Sequence, residues 1–331
     1  MAGNGIISVV VIKFSYCLYM DAARKGGMKG VGKEMDSYTP EEREFDRQVV
    51  FSLMNFNEVT DVTKFVNEYK WADDKIFHAF WDVIYNNPQI FYVDYHHVRF
   101  TNFRKDGDPT IRYGLTGYKF SIKESEYPRL KAELDKAVSK AMEYASGSDD
   151  PVEKARWLHD YIVQTCEYDE KAAETDDSSP LARTVYSALV RRKAVCEGYM
   201  MGYRYLLREA GIYSEEVFSD TMGHCWNYVK IGDNWYHVDV TWDDPIFSGK
   251  DPETFPALHD HFLLSDKAIR AMGYYGWDVR GLPAATDTRY DWRYWGSPFD
   301  LIYLMNFINT SVKKNYAYFK AWLEERRGNS L

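Results

Sequence analysis

One stretch, residues 194–244, constrains the chain more than any other, because three chemically reactive residues stand at the ends of its predicted elements. From Cys196 to Ala210 the apolar and aromatic residues fall at helical spacing, and Gly211 follows as a stop signal. The basic run at 191–193 interrupts the preceding helical pattern, which places Cys196 in the first turn. Unpaired N–H groups and the helix dipole favour a thiolate at that position.

Two strands follow, HCWNYVKI and WYHVDVTW, which are rich in aromatic and β-branched residues. The turn residues 232–234 lie between them, so a two-residue turn pairs residue 231 with 234 or residue 232 with 235. In either register His224 and Asp239 share one face of the hairpin, and we expect them to be diagonal neighbours. A three-residue loop without a bulge would place them on opposite faces.

This arrangement predicts a thiol nucleophile, its base and a carboxylate that orients the base. The carboxylate of Asp239 would fix the tautomer of the His224 imidazole and stabilise the charged ring. His237 shares a face with Asp239 and is the main rival for the role of base. It stands beside the aspartate in sequence rather than across the ladder, which makes it a poorer geometric partner.

The segments AVCEGY, GHCWNYV and WYHVDVTWDDP resemble the transglutaminase-like superfamily, a branch of the papain-like thiol enzymes. WLHDYIVQTCEYD upstream and HDHFLLSDKAI downstream resemble its flanking elements, so the resemblance covers about residues 150–275. The resemblance implies an α+β fold. A helix that bears the cysteine would pack on an antiparallel sheet that bears the histidine and the aspartate.

By that resemblance Cys196 is the nucleophile, His224 the base and Asp239 the orienting residue. The oxyanion donors of the family are usually the N–H group of the cysteine itself and a ring donor from upstream. Tyr168 is our candidate for the ring donor.

Composition limits the classes of partner that the chain can have. The 331 residues are enough for two domains, and an apolar content of 45 % supports a sizeable core. A net charge of −9 argues against nucleic acid, because phosphate binding needs a cationic surface. The resemblance to the transglutaminase-like superfamily implies a protein or peptide substrate. The 27 tyrosines and 10 tryptophans are explained most simply by core packing, and a cleft lined with aromatic residues for an extended polymer is the sharper alternative.

The four cysteines do not form a disulfide framework in a chain of this length. Cys225 follows His224 on the opposite face of its strand, so we expect it to pack as a small apolar residue. His237, His259 and His261 with the nearby aspartates suggest a metal site, but no pair has a recognised helical ligand spacing. We expect neither a metal nor a cofactor.

The predicted organisation has four parts: a tail or linker at 1–36, an N-terminal α/β domain at 37–146, a catalytic domain at 147–290 and a helical C-terminal extension at 291–331. The apolar segment near the start lacks the charged region of a signal peptide and is too short for a confident membrane span. Membrane attachment is therefore expected at most through an N-terminal anchor. Both an extracellular or cell-surface location and a cytoplasmic one stay open.

In the N-terminal domain, Thr39, Pro40 and Glu42 predict a capped helix start. Strands are predicted at 89–100 and 110–120, and a long helix from about 128 to 145. We derive no chemistry from this domain.

The leading functional prediction is thiol-dependent acyl transfer on amide bonds, most simply by a cysteine peptidase or amidase. Hydrolysis is favoured because the sequence reveals no acceptor tunnel and no calcium loop. A crosslinking transglutaminase that joins proteins through glutamine is the first alternative, and a non-catalytic binding or scaffold module that keeps the fold is the second. Metal-dependent hydrolysis is a third, which would make Cys196 dispensable.

Overall fold

The computed structural model describes residues 38–105, 107–174, 180–244, 257–279 and 281–291. The predicted tail, and the C-terminal extension from residue 292 onward, lie outside these residues. The described chain divides into two compact units, with the division inside one long helix. One unit holds 38–134, 180–184 and 281–282; the other holds 135–174, 185–244, 257–279 and 283–291.

The first unit begins with three helices, α1 (Pro40–Met54), α2 (Thr63–Asn67) and α3 (Asp73–Asn86). The hydroxyl of Thr39 accepts a hydrogen bond from the N–H of Glu42 at 3.2 Å, and the Glu42 carboxylate accepts one from the N–H of Thr39 at 2.9 Å. These reciprocal bonds satisfy backbone donors that the helix itself leaves unpaired. The predicted capped helix start is therefore confirmed.

Short antiparallel strands complete the first unit. They are β1 (Thr60–Asp61), β2 (Val93–Asp94), β3 (Arg99–Phe103), β4 (Arg112–Thr116) and β5 (Lys119–Phe120), paired in the orders β1-β4-β3 and β2-β5. The prediction of one continuous strand over 89–100 is wrong. A turn closed by a hydrogen bond from the N–H of Val98 to the carbonyl of Tyr95 separates β2 from β3.

The second unit includes the end of α4 (Tyr127–Tyr144) and all of α5 (Pro151–Thr165). Asp150 caps α5 through a 2.8 Å hydrogen bond from the N–H of Val152. The short strand β6 (Glu167–Tyr168) and the short helix α6 (Glu170–Glu174) follow.

The chain then turns into the cysteine-bearing helix. Arg192 adopts a left-handed backbone conformation (φ 58°) and ends the preceding helical turn. Strand β7 (Lys193–Ala194) pairs in parallel with β6 and leads into α7 (Cys196–Glu209). Gly211 follows α7 with φ 75°, a conformation that glycine adopts without strain. The predicted helix that starts at Cys196 is confirmed.

A four-stranded antiparallel sheet packs against the cysteine-bearing helix. Its strands are β8 (Ser214–Ser219), β9 (His224–Ile231), β10 (Asn234–Val238) and β11 (Trp277–Asp278), in the order β10-β9-β8-β11. Asn234 pairs with Ile231, which leaves a two-residue turn as one of the two predicted registers requires. The last helix, α8 (Asp266–Ala271), is capped by the Ser265 hydroxyl, which accepts from the N–H of Ala268.

Helix α7 packs against β8 and β9, and a buried ion pair fixes it there. The Arg204 guanidinium lies 2.7 Å from Glu215 and 2.6 Å from Glu216 on β8. The second unit is therefore α+β, with the cysteine-bearing helix on an antiparallel sheet, as the resemblance implied. Among the described helices, none combines the length and the apolar character needed to cross a membrane.

Candidate active site

Cys196 occupies the first position of α7 and is partly exposed. The preceding residue, Val195, is extended and supplies no side-chain cap to the helix. The helix dipole favours the anionic form of a thiol at this position.

His224 is the first residue of β9, and Asp239 directly follows β10. The hairpin register makes them diagonal neighbours, and Nε2 of His224 lies 2.5 Å from Oδ2 of Asp239. Nδ1 is therefore the ring nitrogen that remains for Cys196. The contact between the Cys196 sulfur and His224 lowers the pKa of the thiol and raises that of the imidazole. The structure brings together the three residues that the sequence singled out.

The Asp239 carboxylate is wholly buried, and both of its oxygens accept hydrogen bonds. Besides His224, Oδ2 accepts a hydrogen bond from the hydroxyl of Tyr274 at 2.7 Å. Oδ1 accepts from the N–H groups of Thr241 at 3.0 Å and Trp242 at 3.2 Å. Burial raises the pKa of Asp239, but the His224 charge and these donors outweigh burial and hold the pKa below its usual value.

The electrostatics of the pair favour a thiolate and an imidazolium. A hydrogen bond from the Cys225 thiol is the largest influence on Cys196. Burial opposes it, the His224 contact adds to it, and the pKa of Cys196 falls from 9.0 to about 5. Burial lowers the pKa of His224, but the charge and hydrogen bond of Asp239 raise it to about 10. Near neutral pH the sulfur is therefore anionic and the ring is cationic.

Cys225 corrects one prediction. It lies on the opposite face of β9 from His224 and is buried, as expected, but it does not merely pack as a small apolar residue. Its contact with the Cys196 sulfur is the largest influence that lowers the pKa of Cys196, and that contact and burial raise the pKa of Cys225 well above the usual value. Period-two alternation gave the correct face of the strand, but it could not show that the start of α7 covers that face.

His237, the rival base, faces other partners. Its Nδ1 accepts a 2.9 Å hydrogen bond from the indole N–H of Trp226, and its Nε2 lies 2.8 Å from Oδ1 of Asp266. The ring is wholly buried, and burial lowers its pKa. Both ring nitrogens of His237 are thus engaged in structural hydrogen bonds. His224 is therefore the histidine of the pair that contacts the Cys196 sulfur.

Tyr168, the oxyanion candidate, lies on β6 beside the strand that leads into α7. It pairs in register with Ala194, two residues before Cys196, and its ring is 6.4 Å from the ring of Tyr199. Its role as a donor to an oxyanion stays a prediction.

A buried network of histidines and aspartates lies beside the site, and the sequence did not reveal its connections. His159 lies with Nδ1 3.1 Å from Asp160 and Nε2 3.1 Å from Asp243. His261 lies 2.9 Å from Asp243, and its backbone carbonyl accepts a hydrogen bond from the N–H of Asp239. The network therefore holds the backbone of Asp239 in place.

Part of this network has the composition of a metal site. The ligand atoms of His159, Asp160 and His259 all lie within 4.8 Å of one another and are buried. Hydrogen bonds already connect them, with Asp160 Oδ1 2.7 Å from His259, and the Arg156 guanidinium lies 3.1 Å from the other carboxylate oxygen. A resident cation would have to compete with Arg156 for the charge of Asp160. The expectation of no metal stays a prediction.

Known proteins resemble part of this chain in sequence. Residues 138–240 match the sequence profile of the transglutaminase-like superfamily. A mouse (Mus musculus) protein named kyphoscoliosis peptidase is 28 % identical over 154 residues, which cover 42 % of this chain and 22 % of that protein. Its human (Homo sapiens) counterpart is 29 % identical over 126 residues, which cover 34 % and 18 %. The chain thus spans about a fifth of the length of these relatives.

Two solved structures are similar at 15 % identity. A crystal structure of a TGase has a TM-score of 0.32 over 50 % of this chain and 49 % of that one. A candidate cysteine protease from Cytophaga hutchinsonii has a TM-score of 0.25 over 44 % and 62 %. At these scores the likeness supports no inference about activity. The profile match is independent of it, and residues 138–240, which resemble the transglutaminase-like superfamily, include Cys196, His224 and Asp239.

Proposed function

We propose that this protein is a thiol-dependent enzyme that acts on amide bonds of a protein or peptide. Cys196 is the nucleophile, His224 the general acid and base, and Asp239 the residue that orients the imidazole. One observation carries the proposal: Cys196 at the start of a helix contacts His224, whose ring the buried Asp239 carboxylate holds at 2.5 Å.

In the first half of the reaction, the Cys196 sulfur attacks the amide carbonyl carbon and forms a tetrahedral intermediate. Nδ1 of His224 then gives its proton to the amide nitrogen, the C–N bond breaks and the amine leaves. Asp239 stays ionised throughout and stabilises the imidazolium. A thioester on Cys196 and a neutral imidazole remain.

In the second half, the neutral imidazole takes a proton from a water molecule, and the resulting hydroxide attacks the thioester carbonyl. The C–S bond breaks, the carboxylic acid leaves, and the thiolate and imidazolium return. An amine in place of water would give a new amide bond by the same steps.

The oxyanion of each intermediate needs hydrogen-bond donors. The N–H group of Cys196 is at the first helical position and has no acceptor within the helix, so it can serve as one donor. Tyr168 is the second donor that we propose, because its strand runs beside the approach to Cys196.

A polypeptide substrate is supported by the aromatic surface next to the base. Trp242 is 47 % exposed although its ring lies 5.5 Å from the His224 ring. A large apolar ring that stays open to solvent beside the reactive groups can pack against a side chain of an extended peptide. The net charge of −9 does not favour nucleic acid in the same place.

Hydrolysis is the outcome that we favour over transfer to an amine. The relatives are named as peptidases, although this chain spans about a fifth of their length. The geometry of the three residues serves both outcomes, so the choice between them depends on which acceptor reaches the thioester.

The proposal is tested by incubating the protein with a protein substrate such as casein, with and without a fluorescent primary amine. New N-termini or free carboxylates indicate hydrolysis, and incorporation of the amine into glutamine indicates transamidation. Cys196→Ala should abolish both, whereas Cys166→Ser, which alters a buried thiol at the end of α5, should retain them. Turnover that survives Cys196→Ala contradicts the proposal. A scaffold role predicts an intact fold with no turnover in the wild type.

A further inference from the structure

A second sulfur lies beside the proposed nucleophile. The side-chain amide of Asn227 on β9 donates a 3.0 Å hydrogen bond to the carbonyl of Met200 on α7. Cys196 is one helical turn before Met200, a rise of about 5.4–6 Å. Cys225 is two strand residues before Asn227, a rise of about 6.8 Å. The two rises are similar, and the two sulfurs are close enough for each to shift the pKa of the other.

The two thiols differ in chemical state and in access. Cys196 is anionic near neutral pH and partly exposed, whereas Cys225 is 3 % exposed and stays protonated. Peroxides react with thiolates far faster than with thiols, so an oxidant from solution attacks Cys196 first. Cys225 is then the thiol already in contact with the oxidised sulfur.

We propose that Cys196 and Cys225 form a reversible disulfide when the protein meets a peroxide, with Cys225 as the resolving cysteine. This rests on the proposed function only in requiring a reactive Cys196. The Cys196 thiolate attacks one peroxide oxygen, the O–O bond breaks and a sulfenic acid forms. The other oxygen takes the proton of the His224 imidazolium and leaves as an alcohol or water. The Cys225 sulfur then attacks that sulfur, the S–O bond breaks, and the hydroxide leaves with the Cys225 proton as water. Two thiols are oxidised and one peroxide is reduced.

The consequence is a protected off-state. The disulfide ties up the nucleophile and prevents further oxidation of Cys196 to sulfinic and sulfonic acids, which thiol reductants do not reverse. A dithiol reductant restores both sulfurs.

The test uses the reduced full chain treated with one equivalent of hydrogen peroxide. Peptide mapping by mass spectrometry should find Cys196 linked to Cys225, and iodoacetamide labelling of Cys196 should fall and return after dithiothreitol. In Cys225→Ser the labelling should fall and stay lost, with sulfinic and sulfonic acid at Cys196. Cys166→Ser, a matched replacement of another buried thiol, should behave as the wild type.

Three results would overturn the proposal. In the wild type they are a disulfide from Cys196 to Cys166 or Cys17, and direct overoxidation of Cys196. In Cys225→Ser it is full recovery of Cys196 labelling after dithiothreitol. Should Cys225→Ser fail to fold by thermal melting, the cross-linked peptide of the wild type decides alone. The amide assay is read separately. A disulfide without amide turnover contradicts only the proposed function, and turnover without the disulfide contradicts only the resolving role.

Discussion

Nε2 of His224 lies 2.5 Å from Oδ2 of Asp239, and this hydrogen bond determines which ring nitrogen is left to serve the sulfur of Cys196. The carboxylate cannot rotate away, since Tyr274 and the backbone of Thr241 hold its two oxygens. The imidazole is therefore oriented before a substrate arrives, which spares the reaction the cost of ordering it.

The first prediction concerns that carboxylate. In Asp239→Asn the amide can donate to Nε2 of His224, which places the ring proton on Nδ1, where the base must be vacant. We expect kcat on a peptide amide to fall by about 10⁴-fold with KM little changed, as for the corresponding change in a serine protease triad. The matched control is Asp266→Asn, which alters the pair that Asp266 at the start of α8 forms with His237, and it should keep kcat. Full kcat in Asp239→Asn would contradict the orienting role.

The second prediction concerns the thiolate. Since the pKa of Cys196 is lowered to about 5, the rate of its alkylation by iodoacetamide should be half-maximal near pH 5 and level above about pH 6. His224→Gln removes a hydrogen bond and a positive charge from the sulfur, so the midpoint should move upward. Rates are followed by mass spectrometry, with Cys196→Ala identifying background labelling at other cysteines. A wild-type midpoint near that of an ordinary cysteine would contradict the geometry.

The third prediction concerns Cys225, whose thiol contacts the Cys196 sulfur. Cys225→Ala removes the hydrogen bond that lowers the pKa of Cys196 most, so the alkylation midpoint should rise. Cys225→Ser keeps a small donor in the same place and should restore a low midpoint. Equal midpoints in the two variants would show that the thiol acts only by filling space.

The parts of the site that could be predicted from sequence depend on local signals. Turn residues at 232–234 set the hairpin register, and that register makes His224 and Asp239 neighbours. The break at 191–193 and the spacing that follows it set the start of α7. Each signal lies within a few residues of the element that it specifies.

The parts that could not be predicted depend on contacts between distant segments. Strand β8 contains Glu215 and Glu216, which suggest an exposed segment, yet both are buried because Arg204 compensates their charge. Tyr274 is 35 residues from Asp239, and no spacing rule connects them. His159 meets Asp243 across 84 residues, so their pairing follows only from the packing of α5 against the rest of the unit.

The fourth prediction concerns Tyr274. Tyr274→Phe removes a hydrogen bond to a buried carboxylate, so unfolding in urea should require about 1.5–3 kcal/mol less free energy. We expect kcat to fall less than in Asp239→Asn, because the backbone donors still hold the carboxylate. Tyr275→Phe makes the same change at a neighbouring residue that is 56 % exposed, and it should alter neither quantity. Unchanged stability in Tyr274→Phe would show that the hydroxyl contributes nothing to holding Asp239.

The fifth prediction concerns the pH dependence of stability, where the two partners of the ion pair act in opposite directions. The pKa of His224 is raised in the folded state to about 10, so its contribution is complete below the unfolded value of 6.5 and is lost as pH rises toward 10. The pKa of Cys196 is lowered to about 5, so its contribution is complete above the unfolded value of 9.0 and is lost as pH falls toward 5.

Between pH 6.5 and 9.0 the folded protein holds one proton on His224, and the unfolded chain holds one on Cys196. The pair therefore binds the same number of protons in both states and gives the wild type no slope in this range. In Cys196→Ala the unfolded chain no longer has the thiol proton. In the folded protein His224 stays protonated, because Asp239 still raises the pKa of its ring. The free energy of unfolding should then fall with pH by up to about 1.4 kcal/mol per unit. Urea titrations of the wild type and of Cys196→Ala at pH 7, 8 and 9 give the difference between their free energies of unfolding. The other titrating groups contribute equally to both proteins and cancel in this difference. A difference that stays constant across this range would mean that Cys196 and His224 do not share a charge pair in the folded protein.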